Sequence, residues 1–182
     1  MAAKALPSQE VLRQLLDYDP ESGVLAWRPR DLATFKDVRS GRNWNTKYAG
    51  KSALTAKNGF GYRHGQLMGA NVRAHRVIWK LVTGEDPDII DHINGDASDN
   101  RWVNLRSVSR ALNQRNSRRH KHNTSGHTGV WYCNKRLKWF AQFKVDGRST
   151  VLGRFGTLEE ALLARKAANV ANDFHENHGR PG

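Results

Sequence analysis

The stretch IIDHINGDASDNRWVNLRSVSRALNQRN, residues 89–116, decides how this chain is read. It sets a carboxylate beside an imidazole at Asp91 and His92, with side-chain amides following at Asn104 and Asn113. Asp91 offers an anionic oxygen and Asn113 a carbonyl oxygen, both suited to one hard cation such as Mg²⁺ (or Mn²⁺). Two protein ligands leave coordination positions for water and phosphate oxygens. His92, with an ordinary pKa of about 6.5, can take a proton from water near neutral pH. Adjacent strand residues point to opposite faces, so Asp91 and His92 share a site only where the strand bends or ends. The turn formers NGD at 94–96 supply that bend. A deprotonated water, charge neutralisation and a stabilised leaving alkoxide are what phosphodiester hydrolysis requires.

Working outward, IID is expected as a brief strand, NLRSV as its return, and RALNQRN as a helix capped by Ser109. Upstream, AHRVIWKLV reads as a short helix with Val77, Ile78, Leu81 and Val82 apolar, ended by Gly84 and Pro87. His75 on that helix is expected as a satisfied structural histidine, and Arg76 as a candidate phosphate contact. Nearer the start, Ser8 caps a helix bearing Val11, Leu12, Leu15 and Leu16, and DPESG turns into the strand VLAW. Residues 31–57 show no regular pattern, and 60–73 suggest a hairpin turning at Gly69–Asn71.

The net charge of +13 is concentrated. Residues 101–154 hold thirteen Lys or Arg and one acid, whereas the other 128 residues hold seventeen bases and sixteen acids. Such a cationic segment attracts polyanions through Coulomb attraction and counterion release, so nucleic acid is the expected partner. The bases Arg110, Arg115, Arg118 and Arg119 are expected to track a phosphate backbone. Residues 117–128 read as a polar linker, and His120, His122, His127, His175 and His178 as solvent-exposed residues, not metal ligands. Beyond them, GVWYCN, KWFAQFKV and STVLGRF read as three strands. Thr157 with Glu160 forms a capping box ahead of an Ala- and Leu-rich helix over 158–172. Alternation puts Lys138, Phe140, Gln142 and Lys144 on one sheet face, against a core face of Trp139, Ala141, Phe143 and Val145.

The run DHINGDASDNRWVNLR followed by LNQRN resembles the HNH nuclease motif, of the subgroup found in phage intron-homing and free-standing endonucleases. The resemblance implies two strands and a helix around one metal, with Asp91 and Asn113 as ligands and His92 as general base. Asn104 would brace the hairpin and catalytic loop. Spacings of twelve from His92 to Asn104 and nine to Asn113 agree with it, as do AHRVIWKLVTGEDP and LLDYDPESGVLAW upstream. It further implies water attack leaving 3′-hydroxyl and 5′-phosphate ends.

The C-terminal strands and helix are similar to the plant ethylene-response-factor type of DNA-binding domain, at Gly129, Val130, Lys138, Trp139, Ala141, Leu152, Gly153, Phe155 and Glu159–Ala161. That likeness implies a sheet lying in the major groove, with Trp131, Arg136, Lys138, Gln142, Lys144, Arg148 and Arg154 as DNA contacts. Trp131 and Cys133 stand where the plant domain often has Arg, so its target sequence does not transfer.

The expected fold class is α+β, a ββα-metal (HNH) nuclease core plus a small three-stranded antiparallel sheet packed on one helix. The expected sections are a helix/strand region (1–71), the nuclease core (72–116), a basic linker (117–128) and the sheet module (129–175). The expected partner is double-stranded DNA, with no membrane and no small-molecule substrate; one site per chain fits a monomer or weak dimer. The start lacks a secretory signal, Cys133 has no partner for an internal disulfide, and no apolar stretch is long enough to span a bilayer. A cytoplasmic protein is therefore expected, and the likeness places it in a bacterial host as a phage or prophage product. The rivals are a DNA-binding regulator with a vestigial nuclease fold and an RNA-directed protein.

Overall fold

The computed structural model describes residues 5–86, 88–109, 113, 119, 123, 125–145, 147–174 and 178–179. Helices and small antiparallel sheets are mixed along the chain, an α+β arrangement. It divides into two units, Met1–Ser107 and Val108–Gly182.

In the first unit, Ser8 caps α1 (Gln9–Leu15) by accepting from the Val11 N–H. The helix stops one residue earlier than its apolar face suggests, because Leu16 opens β1 (Leu16–Asp19) and pairs with Trp27 of β2 (Val24–Trp27). Gly23 closes this hairpin at φ +72, where a Cβ would lie 2.5 Å from the backbone of Asn100 and Arg101. Only glycine lets the turn sit so close to the later loop.

Residues 31–57, where the sequence shows no regular pattern, contain defined elements. They form a 3-10 turn (Leu32–Thr34), α2 (Val38–Tyr48) and the short β3 (Ala56–Lys57). Helix α2 has few apolar residues, so periodicity hides it. Asp37 caps it, and Trp44 packs against Trp27, Phe35 and Tyr48 at ring centroid distances of 5.7, 6.1 and 5.3 Å. Next come β4 (Arg63–Leu67) and β5 (Ala70–Arg73). Their turn is Met68–Gly69, not Gly69–Asn71, because both residues adopt the positive φ (49° and 76°) that a tight two-residue hairpin needs.

Helix α3 (Ala74–Thr83) follows directly and ends at Gly84 in the left-handed conformation; Pro87 lies outside the described residues. Then β6 (Ile90–His92) pairs with β7 (Leu105–Ser107). Asn104, expected at the start of the return strand, instead closes a 3-10 turn, Trp102–Asn104. One core joins these elements: Leu12, Leu16 and Leu25 from the start pack with Leu67, Val77, Ile78, Ile90 and Leu105. Each such side chain contributes about 1.5–3 kcal/mol when fully buried.

The second unit contains β8 (Val130–Cys133), β9 (Lys138–Val145) and β10 (Arg148–Phe155), ordered β10-β9-β8, with α4 (Leu158–Ala171) across them. Thr157 and Glu160 close the capping box reciprocally. Val130, Ala141 and Ala161 are buried, flanked by Trp139, Leu152, Phe155, Leu158 and Leu162. At Gly129 (φ +75) a Cβ would meet the Gln142 carbonyl oxygen at 2.3 Å. Buried Arg165 donates to that same oxygen at 2.7 Å, tying α4 to the sheet.

Candidate active site

The end of β6 gathers polar side chains that the core has taken out of water. Asp91, His92, Asn100 and Asn104 are 7, 4, 2 and 5% exposed. Buried polar groups are costly unless hydrogen-bonded, so their partners define the site.

Register places Asp91 opposite Arg106, and the guanidinium donates from Nε (3.0 Å) and Nη2 (2.8 Å) to one oxygen, Oδ2. This pair fixes the carboxylate plane. His92 lies at the strand end, where the chain turns through Ile93–Asn94. Its Nε2 lies 3.1 Å from Asn100 Oδ1. An amide oxygen only accepts, so Nε2 carries the proton in this bond and Nδ1 is the basic nitrogen. Burial lowers the His92 pKa, opposed by the Asn100 hydrogen bond and by Asp91, Asp96 and Asp99.

Asn104 holds the loop from both ends. Its Oδ1 accepts from the Asn94 N–H at 2.9 Å and its Nδ2 donates to the Asp99 carbonyl at 2.7 Å. Within the loop, Asn94 accepts from the Asp96 N–H, Asp96 from Ser98, and Asp99 pairs with Arg101. The Arg101 hydrogen bond is the main cause that holds the Asp99 carboxyl down at about 2.

Sequence reasoning missed three neighbours of this site, Arg106, Asn100 and Tyr62, and the placement of a fourth, His75. Arg106 is found only from strand register, and Asn100 lay hidden in a run of turn formers. Tyr62 and His75 form an aromatic wall, with ring centroids 5.7 and 5.3 Å from that of His92. His75 is buried as expected, but it is not fully satisfied: its Nδ1 has no hydrogen-bond partner among the described residues. Burial, then the charges of His92, Arg73 and Arg76, push its pKa down to about 3, so the ring is neutral. Arg76 donates to the Asp88 carbonyl at 3.2 Å.

Asp91, His92 and Asn104 are thus brought together in one hairpin. Asn113 belongs to the second unit, where it is helical, half-buried, and donates its N–H to the Ser109 carbonyl at 3.0 Å. Among the described residues no three His, Cys, Asp or Glu side chains converge on a metal position. A carboxylate with an amide oxygen remains a hard donor set suited to Mg²⁺.

The second unit presents a different surface. Trp131, 37% exposed, stacks on its cross-strand partner Phe140 at 5.4 Å and 18°. The guanidinium carbons of Arg154 and Arg136 lie 5.5 and 6.0 Å from the Phe140 centroid. Lys138, Gln142 and Lys144 alternate with Phe140's neighbours and share its face. Arg148 pairs with Val145 and therefore belongs to the opposite face. Arg119 donates to the Gly126 carbonyl. Arg110, Arg115, Arg118, His120, His122 and His175 lie outside the described residues. His127 is exposed as expected; His178 is instead half-buried, beside Arg165 and 4.7 Å from the Phe174 ring.

Residues 72–115, from within β5 to just past Asn113, match the family model of HNH endonucleases. The match covers a minority of the 182 residues yet contains Asp91, His92, Asn104 and Asn113, and it supports a nuclease. No curated protein and no solved structure matches the chain. Among the described residues no helix is long and apolar enough to cross a membrane.

Proposed function

We propose that the protein is a divalent-cation-dependent HNH endonuclease of the phage homing or free-standing type, hydrolysing phosphodiester bonds in double-stranded DNA. The observation that carries this reading is the buried Asp91–His92 pair at the end of β6, with the imidazole oriented by Asn100. It lies within the segment matched by the HNH family.

Asp91 and Asn113 would hold one Mg²⁺ or Mn²⁺, which when bound neutralises phosphate charge and stabilises the departing oxygen. Nδ1 of His92 takes a proton from water, and the water oxygen bonds to phosphorus as the P–O3′ bond breaks. The products are a 5′-phosphate and a 3′-hydroxyl, the latter protonated from solvent. Arg106 orients Asp91, the outer-layer role that ligating carboxylates require. Asn104 holds the loop so that His92 keeps its place.

The exposed face of β8–β10 would bind neighbouring duplex in the manner of the ethylene-response-factor domains. The aromatic pair Trp131–Phe140, ringed by Arg136, Arg154, Lys138 and Lys144, supports that role. One site per chain suits a monomer that nicks, working in the cytoplasm of a bacterial host. The rival, a DNA-binding regulator with a vestigial nuclease fold, is favoured by one observation: Arg106 already engages Asp91 twice. Supercoiled plasmid separates the two readings. A nuclease relaxes it with Mg²⁺ and not with chelator, and His92→Ala does not; a vestigial fold binds the plasmid and never relaxes it.

A further inference from the structure

The basic character of this chain has a second centre, within the unit that carries the hairpin site. Residues 28–51 contain seven Lys or Arg against two acids, Asp31 and Asp37. Both acids serve as local caps: Asp31 accepts from the Ala33 N–H, and Asp37 from the N–H and hydroxyl of Ser40. Among the described residues only Arg28 of the seven bases has an ion-pair partner, Asp17.

Arg30 is the unusual member. Its guanidinium carbon lies 4.1 Å from the Trp44 ring centroid and 5.4 Å from that of Trp27. Its backbone is clamped by Asn45, whose Oδ1 accepts the Arg30 N–H and whose Nδ2 donates to the Arg30 carbonyl, both at 2.9 Å. Nε is buried without an acceptor among the described residues, and burial lowers the pKa of the group. A cation held this way has lost part of its hydration and gained no anion; the ring faces offset only part of that cost.

Helix α2 carries three more of these bases, Arg39, Arg42 and Lys47. Gly41, Trp44, Asn45 and Tyr48 recur at helical spacing on its more buried side. A Cβ at Gly41 would sit 2.8 Å from Leu32 Cδ2 and 2.9 Å from Phe35 Cδ2, so this side is docked closely. Arg39, Arg42, Asn43, Thr46 and Lys47 are exposed on the other. From Arg39 to Lys47 the helix spans roughly 12 Å, the axial length of about three phosphates on one strand.

We infer that the outer face of α2, through Arg39, Arg42 and Lys47, forms a binding site for the phosphate backbone of duplex DNA, while Arg30 braces Trp44 on the docked side of the helix. The site is separate in sequence from the basic segment 101–154. It takes phosphate oxygens and reads no bases, so it supplies affinity and register without specificity. The choice of polymer rests on the nuclease reading; the anion chemistry does not.

The test uses the full chain in chelator, where no cleavage occurs. A random-sequence duplex is titrated by fluorescence anisotropy over a range of salt concentrations. Each lost phosphate contact lowers the log–log salt slope by about 0.9. The double variant Arg42→Gln with Lys47→Gln is therefore expected to lower the slope by about two, with its melting temperature unchanged because both side chains are exposed. Arg30→Gln, on the docked side of α2, is expected to lower it by less. An unchanged slope in the double variant overturns the inference, as does equal weakening for a neutral-backbone duplex analogue. Wild-type plasmid cleavage is scored alongside. Failure to cut with slopes that shift removes the nuclease reading alone; cutting with slopes that stay fixed removes this site alone.

Discussion

The β6–β7 hairpin and the β8–β10 sheet handle polar chemistry in opposite ways. In the hairpin, Asp91, His92, Asn100 and Asn104 are withdrawn from water and oriented by named partners. In the sheet, Lys138, Lys144 and Arg154 stay exposed, and only the aromatic pair Trp131–Phe140 organises the surface. These withdrawn groups have fixed geometry, and burial lowers the His92 pKa, which suits bond breaking. Exposed cations keep their hydration and freedom, which suits a polyanion held by counterion release. On the proposed reading, one region does the chemistry and the other supplies affinity.

The largest effect that would break this contrast is on His92. Removing a general base costs about 10²–10⁴-fold in rate. His92→Ala should therefore lose single-turnover cleavage on that scale, with a duplex Kd within about twofold of wild type. A matching loss of binding would mean that the hairpin serves affinity after all.

Next in size is acid lability. The pKa of His75 is about 3 in the folded protein, well below the value of an exposed histidine, so the unfolded chain binds the extra proton between those values. Stability from this group is fully present above about pH 6.5 and is lost progressively as pH falls towards 3, at about 1.4 kcal/mol per unit. Denaturant melts from pH 7 to 4 should show the loss, and His75→Phe should flatten it. An unchanged pH slope in His75→Phe would place the lability elsewhere.

Asn104→Ala strands the Asn94 N–H and the Asp99 carbonyl, at about 1–3 kcal/mol for each group left unsatisfied. Both melting temperature and cleavage should fall, whereas an inert loop would leave the two unchanged. The smallest effects belong to the sheet. Lys138→Gln and Lys144→Gln should each reduce the salt slope by about one, and Arg148→Gln, opposite Val145 on the other face, by less. Equal losses at all three would show that the two faces are not distinguished.

Much of this contrast was legible in the residues. The spacing of Asp91, His92 and Asn104 located the hairpin, alternation located the three strands, and Thr157 with Glu160 located the start of α4. Helix α2 escaped because its stability comes from Trp44 packing on Trp27, Phe35 and Tyr48, not from a periodic apolar face. Arg106 escaped because register across a hairpin is not written in either strand alone. His75 was recognised as buried, but its edge-on contact with His92 depends on how α3 docks. Local signals are readable where they repeat or cap; partners set by tertiary packing are not.

The central claim is that Asp91 and Asn113 share one hard cation beside His92. Anomalous diffraction from Mn²⁺-soaked crystals of His92→Ala bound to duplex DNA measures this directly. One peak bonded to the Asp91 carboxylate and the Asn113 amide oxygen is the predicted result. A peak bonded to neither residue, or Asp91 still held by Arg106 alone with no metal beside it, would contradict the account.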